Sequence, residues 1–287
     1  MSDTSNLQDS ISAGLSDLTQ KQREIARFIL DNRHFVAFAS ASDLGARVDA
    51  NASTVVRFCQ AIGYEGYSDL QTAVRAELPS YATSIQRLTE KRASLDANGD
   101  ILSTVFATDA LNLARTAEAL DRAVFDGAVQ ALGEARDVLV VGAGLSAPAA
   151  LYLAHSLKVM GLRAQSVLSS GIPLAVELAG LTRDDVVVGI SLWRYVRGTV
   201  EALRRAREVG AKSIAITDSV VSPLAQLADY AFAASTEGVA HSVSTVGFIA
   251  ISNALIAALS QAQPERTAEA LRAVDEAYQA AHLLLTE

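Results

Sequence analysis

Several features are scarce in this 287-residue chain, and each scarcity removes a class of protein. The single cysteine, Cys59, excludes an internal disulfide, and we expect it to be a small packed hydrophobe rather than a redox sensor. The longest apolar run, near 249–259, is interrupted by Ser252 and Asn253 and is too short to span a bilayer. The polar, acidic start MSDTSNLQDS lacks a signal-peptide pattern. These features predict a soluble cytoplasmic protein with no membrane partner.

Positive charge is also scarce, and the net charge is −8. This is the wrong sign for a protein that coats nucleic acid. Any affinity for DNA would have to come from a local cluster such as Arg47 and Arg57, doubled by dimerisation. Half of the chain is hydrophobic and 20% is charged, which is typical of folded globular proteins. The length is enough for about two domains, each with its own core.

Patterns for metal, serine-nucleophile and nicotinamide chemistry are missing. The four histidines are scattered without metal-ligand spacing, and no G-x-S-x-G motif occurs. Residues 142–147 satisfy G-x-G-x-x-A, but 167–170 reads VLSS and supplies no acidic residue for a ribose. We therefore expect neither a cofactor nor a metal.

Residues 41–62, ASDLGARVDANASTVVRFCQAI, have the layout of a helix-turn-helix, which places one helix in the major groove of DNA. Leu44 and Val48 give the first helix an apolar stripe at helical spacing. Gly45 is small where the two helices must cross closely. Asp49 stands where glycine is the usual turn residue, and aspartate tolerates a left-handed backbone better than most residues.

The second helix of this motif combines a buried stripe with a polar face. Val55, Phe58 and Ile62 form the inward stripe, and Asn51 is a good N-cap. The candidate DNA-binding residues are types that bond phosphates and base edges, namely Arg47, Asn51, Ser53, Thr54, Arg57 and Gln60. The alternative is a small three-helix bundle with an ordinary polar face, which explains the agreement of spacing, cap and exposed chemistry less well.

Outside this motif, the chain divides into two regions with different hydrophobic patterns. Predicted helices at 18–32, 68–78 and 100–120 precede a region where short apolar runs alternate with helices. Strands are predicted at 137–141, 163–168, 185–190, 212–217 and 230–233, and helices at 147–160, 198–209, 243–260 and 265–285. Apolar strands that alternate with helices predict a parallel sheet covered on both faces.

The expected fold is therefore α/β overall. An all-α helix-turn-helix bundle (1–79) and a helical connector (80–124) precede a three-layer αβα domain with a parallel five-stranded sheet (125–287). In such a sheet, ligands bind beyond the carboxyl ends of the strands.

The first of these strand ends leads into GAGLS at 142–146. Its free backbone N–H groups and the helix N-terminus that follows favour an anion. The end of the fourth strand, 217–219, is expected to be structural.

The third strand ends in SLWRYVRGT, residues 191–199. Ser191 can donate to an anion, and Arg194 or Arg197 could clamp a phosphate or carboxylate. Trp193 and Tyr195 could stack on a flat ligand. The alternative is structural, with Arg197 paired to Glu201 and Trp193 buried in an interface. The sequence leaves both interpretations open.

Glu237 and His241 follow the fifth predicted strand. A carboxylate and an imidazole could transfer protons on a sugar. We favour the interpretation that they form a ligand-binding or polar loop pair.

Four segments carry a resemblance to a known family. STVVRFCQAIGYEGYSDLQ, VVGAGLSA, DDVVVGIS and AKSIAITDSVVSPLAQLAD resemble transcriptional regulators of the RpiR family, in which a helix-turn-helix precedes a SIS (sugar isomerase) domain. The resemblance covers nearly the whole chain. It implies a dimer or tetramer whose SIS domain senses a small molecule, commonly a sugar phosphate, and has lost catalysis.

One departure from the family pattern concerns the phosphate loop. The usual SIS pattern S-x-S-G-x-T begins here with Ser191 but continues with Trp193, Arg194 and Val196 at its next three positions. The loop backbone then approaches a phosphate less closely, and the arginines supply a different anion site.

We therefore expect a DNA-binding transcriptional regulator whose SIS domain senses a small anionic metabolite, a sugar phosphate or related carbohydrate derivative. Its partners would be a palindromic DNA operator and further copies of itself. The candidate effector-binding residues are Gly142, Gly144, Ser146, Ser191, Arg194, Arg197, Glu237 and His241. The alternative is a sugar-phosphate isomerase that uses Glu237 and His241, with the N-terminal bundle as an assembly domain.

Overall fold

The computed structural model describes residues 7, 11, 18–77, 84–94, 100–283 and 285. The chain divides into two compact units, one of residues 1–90 with 221–223 and the other of residues 91–220 with 224–287. The polar start of the chain apart from position 7, and the predicted helix end before Pro79, lie outside the described residues.

The first unit is a bundle of helices around one apolar core. The helices that begin in its described residues are α1 (Gln20–Asp31), α2 (Arg33–Phe38), α3 (Ala41–Arg47), α4 (Ala52–Ala61), α5 (Tyr67–Glu77) and α6 (Ser84–Ser94). Capping boxes fix the starts of α1 and α3, through Thr19 with Gln22 and Ser40 with Asp43. The fully buried side chains include Ile25, Ile29, Leu44, Val55, Phe58 and Leu70.

The turn between α3 and α4 confirms two predictions. A Cβ on Gly45 would lie 2.4 Å from the Ala50 carbonyl oxygen, so only glycine fits at this close approach. Asp49 adopts a left-handed backbone with φ of 50°. The backbone of this turn is therefore explained by two residues of its own sequence, Gly45 and Asp49.

The second unit contains a five-stranded sheet whose neighbouring strands are all parallel, in the order β2-β1-β3-β4-β5. The strands are β1 (Val138–Val141), β2 (Ala164–Val167), β3 (Val186–Ile190), β4 (Lys212–Thr217) and β5 (Tyr230–Ala233). In register, Val138 pairs with Ala164 on one side and with Val186 on the other. The predicted parallel sheet is confirmed, and the bounds of β4 and β5 match the prediction.

Helices cover both faces of this sheet. Alternate strand residues such as Val140 and Val188 pack with α8 (Arg122–Glu134), α9 (Ala147–Val159) and α13 (Val246–Ala262). The residues between them, such as Leu139 and Val187, pack with α10 (Ile172–Ala179), α11 (Arg197–Val209) and α12 (Pro223–Leu227). The remaining helices of the second unit are α7 (Ile101–Ala119) and α14 (Pro264–Ala280). The three-layer αβα architecture is confirmed.

Sequence patterns missed α2, α8 and α10. Helix α8 contains two glycines, which weaken the helical signal. A Cβ on Gly127 would lie 2.6 Å from the Tyr230 ring, and one on Gly133 would lie 2.7 Å from the Gln263 amide, so tertiary packing explains both glycines. Helices α2 and α10 have six and eight residues, too few for a helical period to stand out.

Within the described residues, no single helix has the length and hydropathy needed to cross a membrane. Helices α13 and α14 meet that test only when they are taken together, across a bend of 107°.

Candidate nucleic-acid interface and effector site

Helix α4 presents the polar face that its sequence predicts. Val55 and Phe58 are fully buried and Ile62, its C-cap, is nearly so, whereas Ser53, Arg57 and Gln60 are exposed. The predicted inward stripe is therefore confirmed. The side chains left facing solvent are those that can bond phosphates and bases.

Asn51 is the centre of a hydrogen-bond network at the start of α4. Its Oδ1 accepts from the Thr54 backbone N–H at 2.8 Å, which confirms the predicted N-cap. The same oxygen accepts from the Ser53 hydroxyl at 2.7 Å and from the Thr54 hydroxyl at 2.8 Å. Three donors therefore converge on one acceptor.

The two arginines of the predicted DNA-binding set are each held by a neighbour. Arg57 Nη2 donates to Thr54 Oγ1 at 3.3 Å, one turn back along α4. The Arg47 guanidinium carbon lies 5.2 Å from the centroid of the Phe35 ring, within cation–π range. Gln60 Nε2 lies 3.5 Å from the Glu65 carbonyl oxygen, which makes a weak contact.

Cys59 lies on the buried side of the same helix. Burial raises the pKa of its thiol from 9.0 to about 12, and the charge of Asp69 adds to this effect. Because the thiolate is the reactive form, this cysteine is inert near neutral pH. The prediction of a packed hydrophobe is confirmed.

In the second unit, the fold brings two of the predicted anion loops together. Strands β1 and β3 are neighbours in the sheet, although β2 lies between them in sequence. Their carboxyl ends therefore form the topological switch point, the position where open α/β sheets bind ligands. A Cβ on Gly142 would lie 3.3 Å from the Ile190 carbonyl oxygen. The residues placed at this point are Gly142, Gly144, Ser146 and Ser191, and Gly144 has φ of 59°.

The loop after β3 is held by the carboxylate of Asp218, which lies in the segment 217–219 that was expected to be structural. Asp218, at the end of β4, accepts from the Trp193 backbone N–H at 2.8 Å and from the Tyr195 hydroxyl at 2.7 Å. Ser191 Oγ accepts from the Val196 N–H at 3.1 Å. Both the loop backbone and the Ser191 hydroxyl are thus engaged within the chain.

Trp193 lies inside the core, and its proposed role as a stacking surface is wrong. Only 7% of the side chain is exposed, and it packs against the sheet in a left-handed backbone conformation with φ of 60°. The Arg194 guanidinium carbon lies 4.9 Å from the centroid of its ring. The alternative in which Arg197 pairs with Glu201 is also wrong, because Glu201 pairs with Arg204 at 2.6 Å. Arg194 and Arg197 are both exposed.

Thr199 is a polar residue at this site that the sequence analysis missed. It lies in the first turn of α11 and is 1% exposed, and within the described chain its Oγ1 has no hydrogen-bond partner. A buried hydroxyl without a partner is costly, which makes Thr199 a candidate for contact with a bound molecule. The sequence could have indicated Thr199, because it follows Arg197 by two residues and lies in the first turn of a helix, whose N–H groups are free to bind a ligand.

Glu237 and His241 are placed apart from this switch point. They follow β5, which lies two strands from β3, a spacing of about 10 Å in the sheet. The buried Asn112 on α7 holds this loop, because its Nδ2 donates to the Glu237 carbonyl at 2.8 Å and its Oδ1 accepts the Glu237 N–H at 3.1 Å. The Glu237 carboxylate pairs with Lys91 on α6, and His241 is exposed.

No group of three or more His, Cys, Asp or Glu side chains in the described residues is arranged to hold a metal ion.

Models of two domain families match the chain. The model described as the helix-turn-helix domain of the rpiR family matches residues 5–81, and that of the SIS domain matches residues 131–262. The HTH-type transcriptional regulator HexR of Pseudomonas aeruginosa is 30% identical over 224 residues, which cover 77% of this chain and 76% of HexR.

Two solved structures extend this similarity. The sugar isomerase domain of an RpiR transcription factor from Sphaerobacter thermophilus is 41% identical, covers 62% of this chain and 99% of its own, and has a TM-score of 0.61. The Vibrio vulnificus NanR protein, solved with ManNAc-6P, is 23% identical, covers 98% of this chain and 100% of its own, and has a TM-score of 0.67. The latter shows a shared fold across both units.

The matched models account for the helix-turn-helix around α3 and α4 and for the five-stranded sheet with its covering helices. HexR, which matches most of the chain, is named as a transcriptional regulator. The chain therefore belongs to the rpiR family of helix-turn-helix transcriptional regulators and carries a SIS domain.

Proposed function

We propose that this DNA-binding regulator changes its affinity for a palindromic operator when its SIS domain binds a small anion, a sugar phosphate or related carbohydrate derivative. By thermodynamic linkage, the anion and the operator alter each other's affinity by the same factor. We further propose that it acts in the cytoplasm as a homodimer or homotetramer and has no enzymatic activity.

The observation that carries the effector assignment is the group of anion-binding features at the β1/β3 switch point. The loop from Gly142 to Ser146 opens α9, and Ser191 ends β3 beside it. Helix N-termini with free N–H groups attract anions, and α9 and α11 both begin at this edge of the sheet.

The residues around the start of α11 add positive charge to these N–H groups. Arg194 and Arg197 are exposed, and within the described residues neither forms an ion pair. Behind them, the buried Thr199 hydroxyl has no partner in the described chain. The likeness to NanR, which was solved with ManNAc-6P, supports a phosphorylated sugar as the ligand class.

The altered loop determines how we expect the anion to bind. The Trp193 N–H is already donated to Asp218, and the Val196 N–H is already donated to Ser191. The arginine side chains, rather than the loop backbone, would therefore carry most of the anion recognition. Glu237 and His241, beyond the edge strand, would contact the carbohydrate part of the ligand or transmit its binding.

Self-association is supported by an exposed apolar stripe on α7. Leu102 and Phe106 are 67% and 69% exposed one turn apart, and Ile101 is 51% exposed next to them. Exposed apolar patches of this kind are typical of protein interfaces. A second copy would also supply the second reading helix that a palindromic operator requires.

The enzyme alternative requires Glu237 as a proton-transfer group. Its carboxylate is already paired with Lys91, and its backbone is tied to Asn112. Turnover of aldose or ketose phosphates by the purified protein, abolished in Glu237→Gln, would establish the isomerase instead.

The test is footprinting of the full-length protein on promoter fragments flanking its own gene, with a panel of sugar phosphates, the corresponding unphosphorylated sugars and inorganic phosphate. We expect a symmetric footprint whose occupancy changes with one phosphate ester and not with its unphosphorylated sugar. A response to a neutral sugar alone, or to no sugar phosphate on the panel, would contradict the effector class.

A further inference from the structure

The hydroxyl groups of Ser53 and Thr54 already donate their hydrogen atoms within α4. A hydroxyl has one proton to donate, and both hydroxyls lie in donating geometry to Asn51 Oδ1, at 2.7 and 2.8 Å. That oxygen has two lone pairs and also accepts the Thr54 N–H, so the three donors share it. A DNA phosphate oxygen accepts hydrogen bonds and cannot donate one. A hydroxyl that donates to Asn51 cannot donate to a phosphate at the same time.

The Thr54 oxygen, in contrast, keeps its lone pairs, and one of them is used. Arg57 Nη2 donates to it at 3.3 Å, so the bonds run from Arg57 to Thr54 to Asn51. Because Thr54 donates to Asn51, its lone pairs are turned away from Asn51 and are free to accept from Arg57. The backbone cap from Thr54 N–H to Asn51 fixes the same residue a second time.

Arg57 is exposed, and a free arginine side chain has many rotamers to lose when it binds. The bond to Thr54 uses one of its five N–H donors and leaves the others for a bidentate contact with a guanine. Fixing a side chain before binding improves affinity, because less entropy is lost on contact.

We propose that Thr54 is a positioning residue, which holds the Arg57 guanidinium for base reading and does not itself donate to DNA. Asn51 orients the Thr54 hydroxyl for this task. The inference rests on the proposed function, operator binding by the helix-turn-helix, and within it on the assumption that Arg57, one of the candidate DNA-binding residues of α4, reads a base.

The test is a double-mutant cycle on the full-length protein. The probe is a fluorescein-labelled duplex selected by the wild-type protein from a random-sequence library, and affinity is measured by anisotropy. Thr54→Val removes the hydroxyl at nearly constant shape, and we expect about fivefold weaker binding, the effect of one hydrogen bond. In an Arg57→Ala background the same change should cost less than about twofold, because the two residues act as one unit.

Two further variants separate positioning from folding. Thr54→Ser retains the hydroxyl and should bind within about twofold of the wild type. Thr72→Val makes the same substitution at an exposed threonine of α5, whose hydroxyl donates to the Ser68 carbonyl of its own helix, and serves as the matched control. A repeat of the selection with Thr54→Val should weaken the preference for the base pair that Arg57→Ala also affects.

Three outcomes would overturn the inference. Equal losses from Thr54→Val in both backgrounds would mean that Thr54 acts independently of Arg57, through DNA or through the start of α4. Wild-type binding by Thr54→Val would remove its role while leaving Arg57 in place. Wild-type binding by Arg57→Ala would refute the reading role of Arg57 itself, and the positioning role with it.

Discussion

The candidate DNA-reading face and the proposed effector site of this regulator are assembled in opposite ways. Asn51, Thr54 and the candidate reading residue Arg57 lie three residues apart at one helix start, and hydrogen bonds connect them in that order. The proposed effector residues of the switch point come from the ends of β1 and β3, and Asp218 at the end of β4 fixes the loop that follows β3. One site depends on local spacing and the other on topology.

This difference determines which substitutions damage which site. A local motif fails when its own turn is disturbed, whereas a site built from strand ends survives as long as the sheet persists. The chain offers a convenient way to observe the two separately. Its only tryptophan, Trp193, lies in the core of the second unit, so tryptophan fluorescence reports on that unit alone.

The largest expected effect is that of Gly45→Ala on the first unit. The new Cβ would lie 2.4 Å from the Ala50 carbonyl oxygen, and a backbone atom cannot move aside as the tip of a flexible side chain can. We expect the free energy of unfolding of the helical unit to fall by about 3 kcal/mol, at the upper end of overpacking costs. Urea titration followed by far-UV circular dichroism would show an earlier transition.

In the same samples, the fluorescence transition of Trp193 should not move. Gly180→Ala is the matched control, because the nearest atom to its Cβ is 3.7 Å away, which is ordinary contact. A parallel shift of the fluorescence transition in Gly45→Ala would show that the two units unfold as one, and the comparison would then fail.

A somewhat smaller effect is expected from Arg57→Ala on operator binding. Loss of a base-reading arginine costs about 1–3 kcal/mol and relaxes specificity at one position. The binding of the effector alone, measured by calorimetry without DNA, should be unaffected by this substitution. Unchanged operator affinity would exclude Arg57 from the reading face.

The contrast between local spacing and topology also explains how much of each site could be predicted from the sequence. The inward stripe, the Asn51 cap, the left-handed Asp49 and the close approach at Gly45 were all predictable, because each depends on residues a few positions away. The parallel sheet was predictable as well, since its apolar strands alternate with helices.

The contacts of the loop after β3 were not predictable from local patterns. Residues 217–219 were expected to be structural, but nothing near Asp218 in sequence shows that it accepts from Trp193 and Tyr195. Trp193 was one candidate stacking surface in the sequence. Tertiary packing decides its exposure, which local sequence does not show, and the core encloses it. Helices α8 and α10 were missed for a related reason, since packing outweighs weak local propensity.

The third prediction concerns Arg194 and Arg197. Because both guanidinium groups are exposed, their contacts with an anion are screened by solvent, and each is worth about 1 kcal/mol. Replacing both with alanine should raise the effector concentration at half-maximal footprint change about tenfold or more. Arg272→Ala, at an exposed arginine on α14, is the control for loss of positive charge. An unchanged midpoint in the double variant would move the effector site away from this loop.

The smallest expected effect tests whether the loop after β5, which contains Glu237, takes part in the response to the effector. Asn112 and Lys91 both hold Glu237, and Lys91 lies on α6, whose residues run across the division between the two units at 90–91. Lys91→Met retains the length of the side chain but removes the ion pair. Since the Lys91 and Glu237 side chains are 28% and 51% exposed, the pair is worth less than about 1 kcal/mol.

We therefore expect Lys91→Met to leave the unfolding transition nearly unmoved and to change the effector-induced shift in operator affinity by less than about fivefold. The effect should shrink further as ionic strength rises, because salt screens an exposed pair. Arg92→Met, on the adjacent exposed residue, controls for loss of one positive charge on α6. If both variants changed the response equally, net charge alone would explain it. If only Lys91→Met did so, the loop after β5 would be part of the coupling, and the effector region would extend beyond the strand ends that define the switch point.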